Sequence, residues 1–154
     1  MNNADQPGEK AWRAIEAAYD SVDIYSSYEV FVKDFKPLFT PVGHLLAVHW
    51  CNSEICNGGF CQFFENSTGV LAPEALAGYR AIGATPCAEL LEQAMEFLGN
   101  PYPRSKSARQ ELLPDIDDEP NLNPFEKLDD QYFDAKDGDG LYMIMDRYAI
   151  KNEL

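Results

Sequence analysis

The chain has 154 residues, 45% of them hydrophobic and 12% aromatic, enough for one domain with one packed core and too apolar for a disordered chain. It carries 26 acids against 12 bases, a net charge of −14, which repels nucleic acid and anionic membrane surfaces and excludes direct nucleic-acid binding as the expected function. No apolar run approaches the roughly 20 residues of a membrane span, and the start MNNADQPGEK has neither a basic nor an apolar segment. The expectation is therefore a cytoplasmic single domain over 1–154 with a flexible start at 1–8, no membrane contact and four reduced cysteines.

In chain order, Trp12, Ile15, Tyr19 and Val22 have helical spacing and predict an amphipathic helix from 9 to about 25. Tyr28, Phe31, Val32 and Phe35 predict a second, stopped before Pro37. Pro41 suits the first turn of a third, largely buried helix that runs to about Cys56. Asn57-Gly58-Gly59 then ends it and redirects the chain, because Asn and Gly tolerate positive φ. Phe60, Phe63 and Phe64 stand at i, i+3 and i+4 and give a following short helix one apolar face, closed by Gly69. Further helices are expected over Pro73–Ile82, Pro86–Leu98 (with Phe97 on its apolar side), Arg104–Leu113, Leu128–Phe133 and Leu141 to about Lys151. No period-2 strand with turn partners is found, so the expected fold is all-α, a single compact domain of about seven to eight helices.

The stretch EICNGGFCQFFEN, residues 54–66, admits two readings. Gly-rich turns before helices hold anions, but a phosphate site brings a Lys or Arg, and none occurs between Lys36 and Arg80. The structural reading explains more. Gly58 and Gly59 permit a tight corner, Phe60, Phe63 and Phe64 anchor it in the core, and Glu54, Asn57, Gln62 and Asn66 hydrogen-bond the backbone groups left open at the helix ends.

The charge is uneven. Between Glu111 and Gly140 lie eleven acids (Glu111, Asp115, Asp117, Asp118, Glu119, Glu126, Asp129, Asp130, Asp134, Asp137 and Asp139) opposed only by Lys127 and Lys136. Pro114, Pro120 and Pro124 break the first half and Asp137-Gly-Asp-Gly140 marks a turn, so the acids are presented partly from loops. Neither Asp134 nor Asp137 starts an EF-hand register: Lys136 falls at the third position of one and Leu141 at the fifth of the other. The soft ligands His44, His49, Cys51, Cys56, Cys61 and Cys87 lack zinc-site pairing, since spacings of five residues point neighbours apart on a helix. No nucleophile elbow, HExxH or Rossmann glycine pattern is present, and no metal or other cofactor is expected.

Glu54-Ile-Cys-Asn57-Gly-Gly-Phe60-Cys-Gln62-Phe-Phe64-Glu-Asn66, followed by helices that carry Ala81-Ile-Gly-Ala84, resembles the DNA-mimic-protein-19 family, from about Trp12 to Tyr148. The resemblance implies an α-helical fold, often dimeric, without established catalysis. The family's namesake imitates the charge of DNA and binds a helix-turn-helix transcription regulator. That activity resides in surface carboxylates, not in the matched motif, so no acidic position is carried over.

The leading expectation is an acidic interaction module for a basic protein, in its sharp form a DNA mimic that blocks the site of a helix-turn-helix regulator. The partner-binding candidates are Asp115, Asp117, Asp118, Glu119, Glu126, Asp129, Asp130, Asp134, Asp137 and Asp139. The open alternatives are an immunity-type inhibitor of a basic nuclease, and an enzyme, metal-dependent or otherwise, that uses the His/Cys region.

Overall fold

The computed structural model describes residues 6–154 and contains eight α-helices and no strand among them. They are α1 (Glu9–Tyr19), α2 (Tyr28–Phe35), α3 (Thr40–Glu65), α4 (Ala72–Ile82), α5 (Thr85–Leu98), α6 (Lys106–Leu112), α7 (Glu126–Gly138) and α8 (Leu141–Lys151). Short 3₁₀ turns at Ser67–Leu71 and Pro120–Leu122 lead into α4 and α7. The expected all-α domain is observed. Residues 1–5 of the segment expected to be flexible lie outside the described residues. Within 6–8, the Gly8 N–H donates to Asp146 Oδ2 at 2.7 Å.

α3 is the centre, with α1, α4, α6, α7 and α8 all packed against it. Its Leu45, Leu46, Val48 and Ile55 are fully buried, as a helix apolar on nearly all sides requires. α4 approaches it through small residues. A Cβ on Gly78 would stand 2.7 Å from the His44 carbonyl oxygen and 2.9 Å from Val48 Cγ2, so the α3–α4 distance is set by the missing side chain.

Polar links cross this core. Tyr132 of α7 donates to Asn52 Oδ1 of α3 at 2.8 Å, and its oxygen meets the Tyr79 hydroxyl of α4 at 2.6 Å. Since the Tyr132 proton is committed to Asn52, Tyr79 is the donor in the second bond. Asn52 Nδ2 completes the chain to the Tyr142 hydroxyl of α8 at 3.1 Å. Burial raises the pKa of both Tyr79 and Tyr132 well above the usual phenol value, so these two hydroxyls keep their protons. α7 and α8 directly, and α4 through Tyr132, are thereby linked to one asparagine of α3.

Several boundaries differ from the sequence expectation. α1 stops at Tyr19, not near residue 25, because Ser21 Oγ bonds the Ala18 carbonyl and Asp23 Oδ1 accepts the N–H groups of Tyr25 and Ser26. α6 is shorter than expected. α7 is longer, reaching Gly138, because buried Tyr132 with half-buried Leu128 and Ala135 anchors a full helical face. Phe97 is 51% exposed rather than packed inward: at the last turn of α5 its ring leans on Phe125 with centroids 5.2 Å apart. Trp12 is also partly exposed and meets Tyr19 edge-to-face and His49 at a tilt. No helix among the described residues is long and apolar enough to cross a membrane.

Replacing Gly78 with Ala is expected to destabilise the fold by about 1–3 kcal/mol, since its Cβ meets backbone rather than a movable side chain. The midpoint of urea unfolding checks this, with Ala77→Gly on the same helix as the control for helix propensity.

Candidate functional site

The motif of residues 54–66 lies inside α3, which is bent at Gly58 (φ −155°, ψ 23°) and Gly59 (φ 74°, ψ −175°). The Gly59 conformation favours glycine, and a Cβ there would meet Asp129 Oδ2 at 2.6 Å. Helix resumes at Phe60 and ends at Glu65. The expected corner is present, and Phe60, Phe63 and Phe64 are fully buried, as their spacing predicts. Phe60 and Phe64 also contact the Phe125 ring, which fixes the start of α7 to the bend.

The expected role of the motif's polar residues is corrected. Glu54, Asn57, Gln62 and Asn66 bond one another, not the open backbone groups. Glu54 Oε2 accepts from Gln62 Nε2 at 2.7 Å and Asn66 Nδ2 at 3.0 Å, and Glu54 Oε1 accepts from Thr68 Oγ1 at 2.9 Å. Asn57 Nδ2 donates to Gln62 Oε1 at 3.0 Å. One carboxylate before the bend thus holds three donors after it, and a Cβ on Gly58 would displace Gln62 from this set.

The backbone groups are served from elsewhere. Asp129 of α7 accepts the Phe60 N–H through Oδ1 at 2.8 Å, at the start of the resumed helix. Arg109 of α6, 0% exposed, donates from Nε to the Phe64 carbonyl at 2.8 Å and from Nη2 to the Asn66 carbonyl at 3.0 Å, at its end. Arg109 Nη1 is held by the Arg104 and Pro103 carbonyls. A carboxylate at the N-terminal end and a guanidinium at the C-terminal end both match the helix dipole. Burial raises the Asp129 pKa, against the lowering effect of its bonds to Phe60 and Asn123.

Asp129 is therefore turned inward, whereas the other candidate acids, Asp115, Asp117, Asp118, Glu119, Glu126, Asp130, Asp134, Asp137 and Asp139, are exposed, as is Glu111. Glu126, Asp130, Asp134 and Asp137 share the outer face of α7, opposite Tyr132, at intervals of about 4.5–6 Å along the axis. Lys136 pairs with Asp137 at 2.5 Å and lies over the Phe133 ring, so it offsets only one of them. The loop that carries Asp117 lies near the bend: Cys61 is pushed up to about 11 by burial first, then by Glu65, Asp129 and Asp117.

α5 and α7 pack antiparallel, with Phe97 at the end of α5 against Phe125 before α7, and Cys87 near the start of α5 close to Asp139 and Lys136. Glu89, Glu92 and Glu96 are exposed on α5, an acidic row that the sequence reading did not single out. Its signal was present: the three alternate with buried Leu90, Leu91, Ala94 and Leu98. Glu92 is partly offset by Arg80 at 2.8 Å. Arg109 was also missed, and RSKSAR gives no hint that its last residue is buried.

The His/Cys region holds ordinary packing contacts. His44 Nδ1 meets the Tyr148 hydroxyl at 2.8 Å, and His49 sits among Trp12, Tyr19 and the adjoining core. Cys51, Cys61 and Cys87 are buried free thiols and Cys56 is an exposed one. Among the described residues no three His, Cys, Asp or Glu side chains converge as metal ligands.

These features define an all-α acidic protein built around one bent central helix, whose bend is closed by its own polar motif and whose carboxylates face outward from α5, α7 and the loop before it. The DMP19-like protein family matches residues 36–152, and the chain belongs to that family. The match begins at α3's approach, after α1 and α2, later than the resemblance from about Trp12 suggested. Neither the curated proteins nor the solved structures yield a match.

Asp129→Ala is expected to cost about 1–3 kcal/mol by leaving the Phe60 N–H unpaired, whereas Asp129→Asn, which keeps an acceptor, is expected to cost much less. The pH dependence separates the two effects of this carboxylate. Its folded pKa is raised, so the folded state binds the proton more tightly, and stability from this group falls as pH rises through the carboxylate range. Denaturant unfolding of wild type and Asp129→Asn across that range is expected to show a shallower fall for the variant.

Proposed function

We propose that this protein is an acidic interaction module that captures a basic DNA-binding protein through the carboxylates of α7 and its preceding loop, competing with DNA for the partner's Lys and Arg side chains. Membership of the DMP19-like family supports an interaction role of this kind. The observation that carries it is the row Glu126, Asp130, Asp134 and Asp137 on the outer face of a rigid helix, extended by the loop acids from Asp115 to Glu119.

The magnitudes fit competition by several charges, not a copy of the duplex. The α7 row presents one carboxylate per roughly 5 Å of axis, against one phosphate per roughly 3.4 Å along a single DNA strand. A partner therefore meets a sparser line than DNA, and the loop acids and the α5 row must supply the remainder. In the sharpest form of the proposal the partner is a helix-turn-helix regulator whose basic surface fits this arrangement.

Replacing Asp117, Asp118, Asp130 and Asp134 with Asn removes four exposed charges and leaves the Asp129 tie intact. The fold is expected to survive, because exposed carboxylates contribute little to stability and their mutual repulsion is relieved. The test is competition between this protein and labelled duplex for a partner recovered by affinity capture. Displacement of duplex by wild type, loss of displacement in the four-Asn variant, and weakening with salt through slower association are expected, because attraction is screened over about 8 Å at physiological salt. A partner that holds DNA and this protein at the same time would exclude competition.

A further inference from the structure

We propose that the half-open cavity between the α1–α2 connection and the start of α6 binds the phosphate group of a small molecule. The cavity is about 470 Å³, within the usual range for small-molecule sites. It is walled by Tyr25, Ser27, Ser67, Ser107 and Lys106, with Arg109 beneath. This inference is independent of the proposed capture of a basic partner.

The first observation is charge. In a chain of net charge −14, Arg104, Lys106 and Arg109 place three of the 12 basic residues in six positions, and Glu29 is the only carboxylate in the lining. Arg104 is already neutralised: Glu74 accepts from both of its terminal nitrogens at 2.7 and 3.1 Å, and its guanidinium covers the Tyr28 ring at 4.6 Å. Arg109 is not. All its partners are carbonyl oxygens, and the titratable groups that bear on it are Tyr102 and Arg104, not an acid. The partial negative charge at the end of α3 offsets only about half of one unit. A buried cation without an anion is costly, and the open cavity above it is where a counter-ion can stand. Since Arg109 is fully screened from solvent, it acts on that space through its field and not by contact.

The second observation is a supply of free donors. Ser27 is not among them, since its Oγ accepts from the Val30 N–H and its hydroxyl is engaged with the Glu29 carboxylate. Ser105 and Ser107 share one hydrogen bond at 3.0 Å, which leaves one of their two hydroxyl hydrogens uncommitted. Lys106 is exposed at the rim and makes no ion pair among the described residues. A tetrahedral oxyanion accepts from several directions at once, which suits an ammonium and a hydroxyl set apart from it better than a planar carboxylate does. The ring of Tyr25, 81% exposed at the mouth, gives the body of the ligand an apolar surface.

The test is a ¹H–¹⁵N titration of the full chain with inorganic phosphate and, separately, with a nucleoside monophosphate, against chloride at matched ionic strength. Saturable shifts at Ser67 and at Ser105 to Ser107, absent with chloride, are expected. Lys106→Glu reverses an exposed charge and is expected to weaken binding about tenfold or more. Ser107→Ala, which removes one hydroxyl without altering charge, is expected to weaken it less. Tighter binding of the nucleotide makes a phosphomonoester the ligand, and equal affinity makes free phosphate the ligand. Shifts that grow without saturating, that scatter over the other basic residues, or that survive Lys106→Glu unchanged would overturn the proposal. The four-Asn variant of α7 and its loop is expected to keep phosphate binding, so failure here and failure of partner capture are told apart.

Discussion

A six-residue stretch of helix, Phe60 to Glu65, is held at both ends by charged side chains from other helices. Asp129 meets its first N–H and Arg109 its last carbonyls. So short a helix is marginal on its own, because nucleation is costly and few internal bonds repay it. Its three buried phenylalanines and these two caps hold it in place, and the positions of α6 and α7 follow from where the caps must stand. The same device recurs at the chain's start. Gly8 offers α1 no capping side chain, and Asp146 of α8 accepts the Gly8 and Ala11 N–H groups instead. Distant carboxylates thus do what a local Ser or Asp does in most helices.

This arrangement divides the acids into two kinds. Asp129, Asp146 and Glu54 spend their oxygens on N–H and O–H groups of the chain itself. The outer acids of α5, α7 and the loop have few such partners, and the fold does not require them. The most recognisable motif in the sequence belongs to the first kind. It builds the bend and places the helices that carry the second kind, so family membership and the proposed interaction rest on different residues.

Much of this was legible in the sequence because it follows from periodicity and backbone chemistry. The helices, the bend at Gly58–Gly59 and the burial of Phe60, Phe63 and Phe64 needed only spacing and the conformational freedom of glycine. α7 was seen too short because its outer face is almost wholly charged, and one buried tyrosine with two half-buried residues is a faint apolar signal. α1 was seen too long because the apolar spacing runs on to Val22 after the local bonds of Ser21 and Asp23 have ended the helix. The caps were not legible at all. Nothing in the run Leu128-Asp129-Asp130-Gln131 distinguishes the aspartate turned inward from the one turned outward, since that choice is made by the position of Phe60, 69 residues earlier. Arg109 was hidden for the same reason, with its carbonyl partner at Phe64, 45 residues away.

Those separations bear on how the molecule can be divided. Closing loops of such length before any local reward slows assembly and makes it cooperative, because the bend gains its caps only once α6 and α7 have docked. The acidic segment between Glu111 and Gly140 is consequently not a detachable tail. Cut away as a peptide, α7 would lose Phe60, Phe125's ring partners and the Asn52 bond that orients Tyr132, and its row of like charges would repel itself out of helical register. The remaining body would in turn lose the carboxylate at its bend. The outer charges can change one at a time without touching these ties, whereas an exchanged segment keeps them only if Phe125, Asp129 and Tyr132 come with it.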